Sequence, residues 1–133
     1  ILDHIPDVLM GVGAQMYTDM GFDDEYFNNG YSSFTLEENL KYFKEFLEGD
    51  SIYPSFRIVG LNRKCIHILG CLLDSENNIC TVYETVLGHI DMNLRKIIEM
   101  DDSFFESITS LKHSHDNLGS IPFDLRLAVK ESV

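Results

Sequence analysis

The chain has 133 residues, 44% of them hydrophobic and 24% charged, a composition typical of one globular domain rather than a disordered or fibrous chain. Ten Lys and Arg against 22 Asp and Glu give a net charge of −12, which argues against nucleic acid or an anionic membrane as the main partner. No apolar run approaches the roughly 20 residues that a transmembrane helix needs.

The first 20 residues predict a helix. Apolar side chains recur there at helical spacing, at Ile1, Ile5, Val8, Val12 and Met16. Pro6 is compatible with a helix only near its N-terminal end. Gly11 and Gly13 each weaken the middle by up to ~1 kcal/mol relative to Ala, so we expect a close neighbour there. Residues 21–30 then predict a short helical turn followed by a loop.

Residues 31–48 fit two patterns. As a helix, they form an apolar stripe of Leu36, Leu40, Phe43 and Leu47, with a capping box at Thr35 and Glu38 and a stop at Gly49. As a strand, Glu37 and Asn39 share a face, and a second face carries Phe34, Leu36, Leu40, Tyr42 and Phe46. Local propensity favours the helix.

The middle of the chain predicts three strands. The first, Ile52 to Leu61, has Pro54 near its start and therefore lies near an edge. The second, Cys65 to Leu73, is apolar on both faces and fits a central strand. A turn over residues 74–78 leads to the third, Cys80 to Ile90.

Two polar residues of this predicted hairpin can come together. If Asp74 pairs with Ile79, then Leu69 faces Glu84 and His67 faces Val86, which makes His67 and Glu84 diagonal neighbours on one face. A slip of one residue would separate them. Such a pair is either structural or functional.

The C-terminal third predicts one helix from Asp101 to about His115, with Asp101 or Asp102 as its N-cap. Its apolar stripe consists of Phe104, Phe105, Ile108 and Leu111. Phe123 to Val129 fits either a short strand or an arm on the surface.

No motif for a phosphate loop, a dinucleotide, a nucleophilic serine or a zinc site is present, so the sequence predicts neither a cofactor nor a metal. His113 and His115 fit a solvated helix end better than a metal site. The three cysteines lie in apolar runs without a CxxC, which indicates buried thiols in a reducing cytoplasm. Asp3 and Asp7 lie on one helix face and are either first-turn caps or a catalytic base or nucleophile.

The run from Phe34 to Asp50 resembles the strand after the central helix in hotdog-fold acyl-CoA thioesterases, of the type linked to carnitine and betaine breakdown. Matching positions are Thr35, Leu36, Glu37, Tyr42, Glu45 and Gly49, while Asn39 stands where the family has His. The resemblance continues at residues 59–68 and 84–91, and Asp3 and Asp7 occupy the two aspartate positions of the family's helix. It covers roughly residues 1–92 and favours a strand from Ser32 to Glu48 over the helix.

The resemblance implies an α+β hotdog fold, with an antiparallel sheet around the helix that ends near Met20 and a C-terminal helix outside. It implies a single domain over residues 1–133 that lacks the family's first strand and loop. It also implies an assembly of at least two copies, a homodimer or a tetramer, with active sites at the interface between them. The implied reaction is hydrolysis of a small or medium acyl-CoA. Asp3, Asp7 and Glu37 are the implied catalytic carboxylates, and Asn39, Tyr42 and His67 line the substrate pocket.

The −12 charge adds two expectations. An acidic pocket would suit a cationic acyl group of the betainyl type. The phosphates of CoA would need the basic residues that cluster in one third of the sequence, namely Lys41, Lys44, Arg57, Arg63 and Lys64. Two other functions stay open: an acyl-thioester hydratase or dehydratase, with His4 beside Asp3, and a non-catalytic hotdog module that binds acyl-CoA.

Overall fold

A computed structural model of the chain describes residues 21–45, 49, 51–76, 78–117 and 125–130. The helix predicted over the first 20 residues, with Asp3 and Asp7, lies outside these described residues. The described elements are α1 (Asp24–Asn28), β1 (Tyr31–Tyr42), β2 (Tyr53–Leu61), β3 (Cys65–Leu73), β4 (Ile79–Asp91), β5 (Lys96–Ile97) and α2 (Asp102–Asp116).

The strands form one antiparallel sheet in the order β1-β4-β3-β2, and the short β5 pairs with the end of β4. The strands β2, β3 and β4 follow one another as hairpins, and the N–H of Asp74 closes the β3–β4 turn on the carbonyl of Asn78 at 3.0 Å. The three strands predicted for this block are therefore confirmed. Among the described strands, β1 and β2 are the two edges of the sheet.

The segment with two possible patterns is a strand, because β1 pairs with β4 from Tyr31 opposite Asp91 to Tyr42 opposite Thr81. Long-range pairing overrides the local helical propensity here. The strand ends at Tyr42, six residues before the predicted end at Glu48.

A β-bulge divides β1 into two halves. The register shifts between Thr35 and Glu37, so Leu36 is the extra residue. Phe34 pairs with Gly88, whereas Leu40 and Tyr42 pair with Tyr83 and Thr81. The prediction that these apolar residues share one face is therefore wrong: Phe34 lies on the opposite face from Leu40 and Tyr42. Leu36 packs closely over Gly88, where an added Cβ would lie 3.0 Å from its Cδ1.

One face of the sheet, here called the core face, carries the main hydrophobic cluster. Its strand residues are Ile58, Ile66, Ile68 and Leu87, and they pack with Phe22 and Tyr26, with Met100 and with Ile108 of α2. Asp101 is the N-cap of α2 and accepts a hydrogen bond from the N–H of Phe104 at 2.8 Å, as predicted. Ile108 is fully buried, so the C-terminal helix, expected to lie outside, forms part of the core.

The opposite face, here called the His67 face, carries the buried polar side chains of His67 and Glu84 at its centre. The α-helices among the described residues are too short and too polar for any of them to cross a membrane. The register of the sheet is relevant to function because it determines which side chains share the His67 face.

Candidate functional site

Three of the predicted site residues share the His67 face. Val86 lies between Glu37 of β1 and His67 of β3, and Glu84 lies between Asn39 and Leu69. The pairing of His67 with Val86 and of Leu69 with Glu84 confirms the predicted register. Next to the turn, the register of β3 against β4 shifts by one residue, so that Leu73 rather than Asp74 pairs with Ile79.

His67 and Glu84 form a buried pair, as the register predicted. The Nε2 of His67 lies 3.0 Å from Oε1 of Glu84, and the two residues are 2% and 1% exposed. A buried carboxylate is stable only when its oxygens receive hydrogen bonds. The histidine supplies one of those bonds.

The remaining bonds come from the C-terminal arm, defined here as residues 125–130. The backbone N–H groups of Arg126 and Leu127 donate to Oε2 and Oε1 of Glu84 at 2.8 and 3.1 Å. No residue of this segment is in a strand, so the arm is the correct one of the two predicted alternatives for these residues. Glu84 therefore ties β3, β4 and the arm together.

The arm passes beside His67. A Cβ added at Gly60 would lie 3.1 Å from the Cβ of His67 and 3.6 Å from the Cβ of Val129, so the arm and His67 pack closely over this glycine. Asn62 also donates to the carbonyl of Lys130 at 2.8 Å. His67 is 2% exposed, so in this conformation it is not open to a substrate.

Glu37 and Asn39 lie on the edge strand β1, where Glu37 is exposed and Asn39 is half-buried. Tyr42 is 49% exposed and belongs to the core face, so the structure does not bring it together with the other two. Glu38, next to Glu37, faces the other way and accepts a hydrogen bond from the hydroxyl of Tyr83 at 2.8 Å.

The basic residues expected to bind phosphates do not converge. Lys44 pairs with Asp74 at 2.9 Å, and Arg63 pairs with Asp102 at 2.7 Å. The Lys44 ammonium, with the Asn78 amide groups, holds the pKa of Asp74 well below its usual range. Lys41 lies opposite Val82 near one end of β4. Near the other end of β4, the backbone carbonyl of Lys64 accepts a hydrogen bond from the N–H of His89. The described residues also contain no cluster of three His, Cys, Asp or Glu that could hold a metal ion.

A cleft that the sequence did not predict lies between α1, the start of β1 and the start of α2. Its volume is about 300 Å³, and its lining includes His89, Tyr26, Tyr31, Phe104, Asp23 and Asp101. Inside it, the Tyr26 hydroxyl lies 2.7 Å from Nδ1 of His89. Three separate parts of the chain contribute to this cleft, so no local motif marks it. The only sequence signal is that Asp23 and Asp101 precede helices.

Comparison with known sequences identifies relatives. A sequence profile of the thioesterase-like superfamily matches residues 4–108. The L-carnitine dehydrogenase/betainyl-CoA thioesterase of a Rhizobium species is 21% identical over 100 residues, which cover 74% of this chain and 20% of that protein. The protein of the same name from Agrobacterium fabrum is 20% identical over 103 residues, 77% of this chain and 21% of that protein. The chain therefore spans about a fifth of the length of these relatives.

Comparison with solved structures confirms the predicted α+β hotdog fold. A hypothetical protein of Staphylococcus aureus in complex with CoA has a TM-score of 0.81 at 21% identity, over 98% of this chain and 81% of that chain. The DHNA-CoA thioesterase of Staphylococcus aureus has a TM-score of 0.75 at 13% identity, over 90% of this chain and 83% of that chain.

Proposed function

Because the chain belongs to the thioesterase-like superfamily, we propose that it is a thioester hydrolase that cleaves an acyl-CoA into a free acid and CoA. The observation that carries this proposal is the family match over residues 4–108. The likeness in fold to a protein solved in complex with CoA supports CoA as the carrier of the acyl group.

Glu37 is the proposed catalytic carboxylate among the described residues, because it is exposed at a sheet edge and shares a face with Asn39. Its carboxylate takes a proton from water while the water oxygen attacks the thioester carbonyl carbon. The C–S bond then breaks as the tetrahedral intermediate collapses, and the proton passes to the departing CoA thiolate. Asn39 donates its amide N–H to the substrate, and Asp3 and Asp7 are the further proposed carboxylates.

The proposed assembly is at least a homodimer through β1. This edge strand has 12 residues and leaves large apolar side chains exposed, with Phe34 at 49% and Leu40 at 39%. A long, apolar edge that has no neighbouring strand among the described residues favours association with another strand. Pairing two copies of β1 would bring the Glu37 residues of both copies to the interface.

The proposed compartment is the cytoplasm. All three cysteines are thiols, and burial raises the pKa of Cys71 to about 11. A thiol with so high a pKa is unreactive near neutral pH. Thiols without a disulfide are typical of a reducing compartment.

The proposed acyl group is small and cationic. The relatives named betainyl-CoA thioesterase and the net charge of −12 both favour a positively charged acyl group over an anionic one. A trimethylammonium group gains from aromatic faces and from nearby carboxylates.

Release of free thiol from acyl-CoA tests the activity. We expect Glu37→Gln to lower kcat by about 10²–10⁴-fold, the range typical of a lost general base. Glu38→Gln is the matched control, since it changes the neighbouring side chain on the opposite face and leaves kcat near that of the unchanged protein. If the unchanged protein binds CoA but releases no thiol, it is a binding module rather than a hydrolase.

The acyl preference has an isosteric control. Betainyl-CoA and 3,3-dimethylbutyryl-CoA have acyl groups of the same shape and differ in one positive charge. We expect a higher kcat/KM for betainyl-CoA, and a difference that shrinks as salt is added. Equal values for the two substrates would contradict a cationic acyl group while leaving hydrolysis itself intact.

A further inference from the structure

The C-terminal arm presents two cations on its outer side. Half-buried apolar residues alternate along it with exposed residues, and the exposed residues include Arg126 and Lys130. Such an alternation is typical of an extended segment, in which residues two or four positions apart point the same way. The side chains of Arg126 and Lys130 therefore both point away from the sheet, at positions up to roughly 13 Å apart along the arm.

Backbone atoms hold the arm against the His67 face. The N–H of Arg126 donates to the buried carboxylate of Glu84 at 2.8 Å, and the carbonyl of Lys130 accepts from Nδ2 of Asn62 at 2.8 Å. The side chains of Arg126 and Lys130 take no part in these bonds. They can therefore bind a ligand, or be replaced, without releasing the arm.

Asn62 brings a third cation to the end of the arm. Its Oδ1 accepts the N–H groups of Lys64 and Cys65, both at 2.8 Å, while its amide group holds the carbonyl of Lys130. Lys64 is exposed. Burial raises the pKa of the Cys65 thiol, and the nearby ammonium group of Lys64 opposes that rise. The three cations Arg126, Lys130 and Lys64 are here called the basic rim.

The basic rim is unusual in so acidic a chain, which carries 22 Asp and Glu against ten Lys and Arg. Other basic residues are paired with carboxylates, in the ion pairs Lys44–Asp74, Arg63–Asp102 and Lys112–Asp116. By contrast, no cation of the basic rim forms an ion pair with a described residue. Charge complementarity therefore favours an anionic ligand at the rim.

The rim lies on the same side of the sheet as the proposed catalytic carboxylate. Cys65 is two residues before His67 on β3 and shares the His67 face with Glu37. The carboxylate of Glu37 adds to the rise in the pKa of the Cys65 thiol that burial causes, whereas Lys64 opposes it. Glu37 and Lys64 are therefore both near Cys65. A single extended ligand on this face can reach the rim and Glu37 together.

We propose that the basic rim binds the phosphate groups of CoA while the thioester lies at Glu37. This inference rests on the proposed function, because it assigns the residues that hold the nucleotide end of the same substrate. Arg126 suits bidentate hydrogen bonds to a phosphate, and the two lysines supply point charges. Of the basic residues that the sequence predicted for the phosphates, only Lys64 belongs to the rim.

The first test measures binding of the nucleotide end alone. The full chain is titrated with adenosine 3′,5′-bisphosphate, which carries phosphates but no thioester. We expect it to bind, and we expect Arg126→Gln and Lys130→Gln each to weaken binding by about two- to fivefold, the range of an exposed ion pair.

Arg95→Gln is the matched control for the binding test. Arg95 is exposed in the β4–β5 turn and forms no ion pair with a described residue, so its replacement changes the net charge equally but leaves the rim intact. Its affinity for the bisphosphate should equal that of the unchanged chain. Equal losses in Arg95→Gln and Arg126→Gln, or no binding by the unchanged chain, would overturn the proposal.

The second test separates the rim from the proposed activity. The double variant Arg126→Gln with Lys130→Gln should lower kcat/KM for an acyl-CoA by roughly four- to 25-fold, since the two side chains lie apart and their effects multiply. The matching acyl-pantetheine has the same thioester and no phosphates, so its kcat/KM should stay unchanged, which also shows that the variant is folded.

The outcomes of the two tests distinguish the two proposals. If the bisphosphate binds through the rim but neither thioester is cleaved, the proposed hydrolase activity fails and the rim is supported. If acyl-pantetheine and acyl-CoA are cleaved and the double variant affects both equally, the rim proposal fails and the hydrolase is supported.

Discussion

Glu84 shows how one side chain can hold distant parts of the chain together. Its two carboxylate oxygens accept three hydrogen bonds, from His67 on β3 and from Arg126 and Leu127 on the arm. Both oxygens belong to a side chain that is 1% exposed and therefore excluded from water. Removing the acceptor charge leaves these donors without a matched partner, and that cost exceeds the worth of any one bond.

We therefore expect Glu84→Gln to lower the free energy of unfolding by roughly 2–4 kcal/mol, because the new amide group places a donor against donors. Urea unfolding followed by circular dichroism measures the change. Glu99→Gln, at an exposed position, is the control and should change stability by less than about 0.5 kcal/mol. A similar stability for Glu84→Gln and Glu99→Gln would mean that the arm and His67 do not depend on the carboxylate.

The sequence predicted one part of this network and missed another. The meeting of His67 with Glu84 follows from strand alternation and a short turn, so it could be predicted from local spacing. The two backbone donors lie 42 and 43 positions away from Glu84 and carry no side-chain signal. The same holds for the contact of Tyr26 with His89, whose partners lie 63 positions apart on α1 and β4.

At the scale of elements, β1 and α2 show why pattern alone was insufficient. The helical stripe in β1 is real, but pairing with β4 outweighs it, and only the resemblance to hotdog proteins indicated a strand. The bulge at Leu36 then changed which apolar residues share a face. For α2, the cap and stripe were predicted correctly, whereas its place in the core depends on packing against β2 that no local pattern encodes.

The end of α2 contacts the edge strand β2 through His115. Its Nδ1 accepts a hydrogen bond from the backbone N–H of Ile58 at 2.9 Å. Burial, followed by the nearby Arg57, lowers the pKa of His115, and Asp116 partly opposes this. Since the bond needs an unprotonated Nδ1, protonation of His115 would break it.

This bond predicts a pH-dependent stability. The pKa of His115 is lower in the folded chain than its ordinary value of 6.5, so the unfolded chain binds the proton more readily. The contribution is complete above pH 6.5 and is lost as the pH falls through the folded pKa. We expect the urea midpoint to fall on acidification below pH 6.5, and to fall less in His115→Gln, whose side-chain oxygen can accept from Ile58 without titrating.

His113→Gln is the control for that comparison, because His113 lies exposed in the same turn of α2. Its pH profile should follow that of the unchanged chain. His89, whose pKa is also lowered, contributes in the same direction and remains in all three proteins, so the difference between profiles isolates His115. Identical profiles for His115→Gln and His113→Gln would assign the pH dependence to other groups.

At the scale of the whole molecule, the two sheet edges differ in how they are covered. At β2, His115 of α2 accepts from the backbone of Ile58. At β1, the described residues leave apolar side chains exposed on both faces, among them Phe34, Leu36 and Leu40. An edge of this length would invite uncontrolled pairing if no partner occupied it. We propose a second copy as this partner, because it would place the same strand on both sides of the contact.

We therefore expect the unchanged chain, of 15.2 kDa, to have at least twice that mass in light scattering, and Phe34→Lys with Leu40→Lys to shift it towards the monomer. Each lysine places a charge where the interface is apolar, and its cost falls on association because both positions are exposed in the single chain. Leu94→Lys is the control, since Leu94 is 61% exposed in the β4–β5 turn and is not part of β1. If the Leu94 variant dissociates as readily, or the unchanged chain is monomeric, β1 is not the interface, and the proposed joining of two Glu37 residues fails with it.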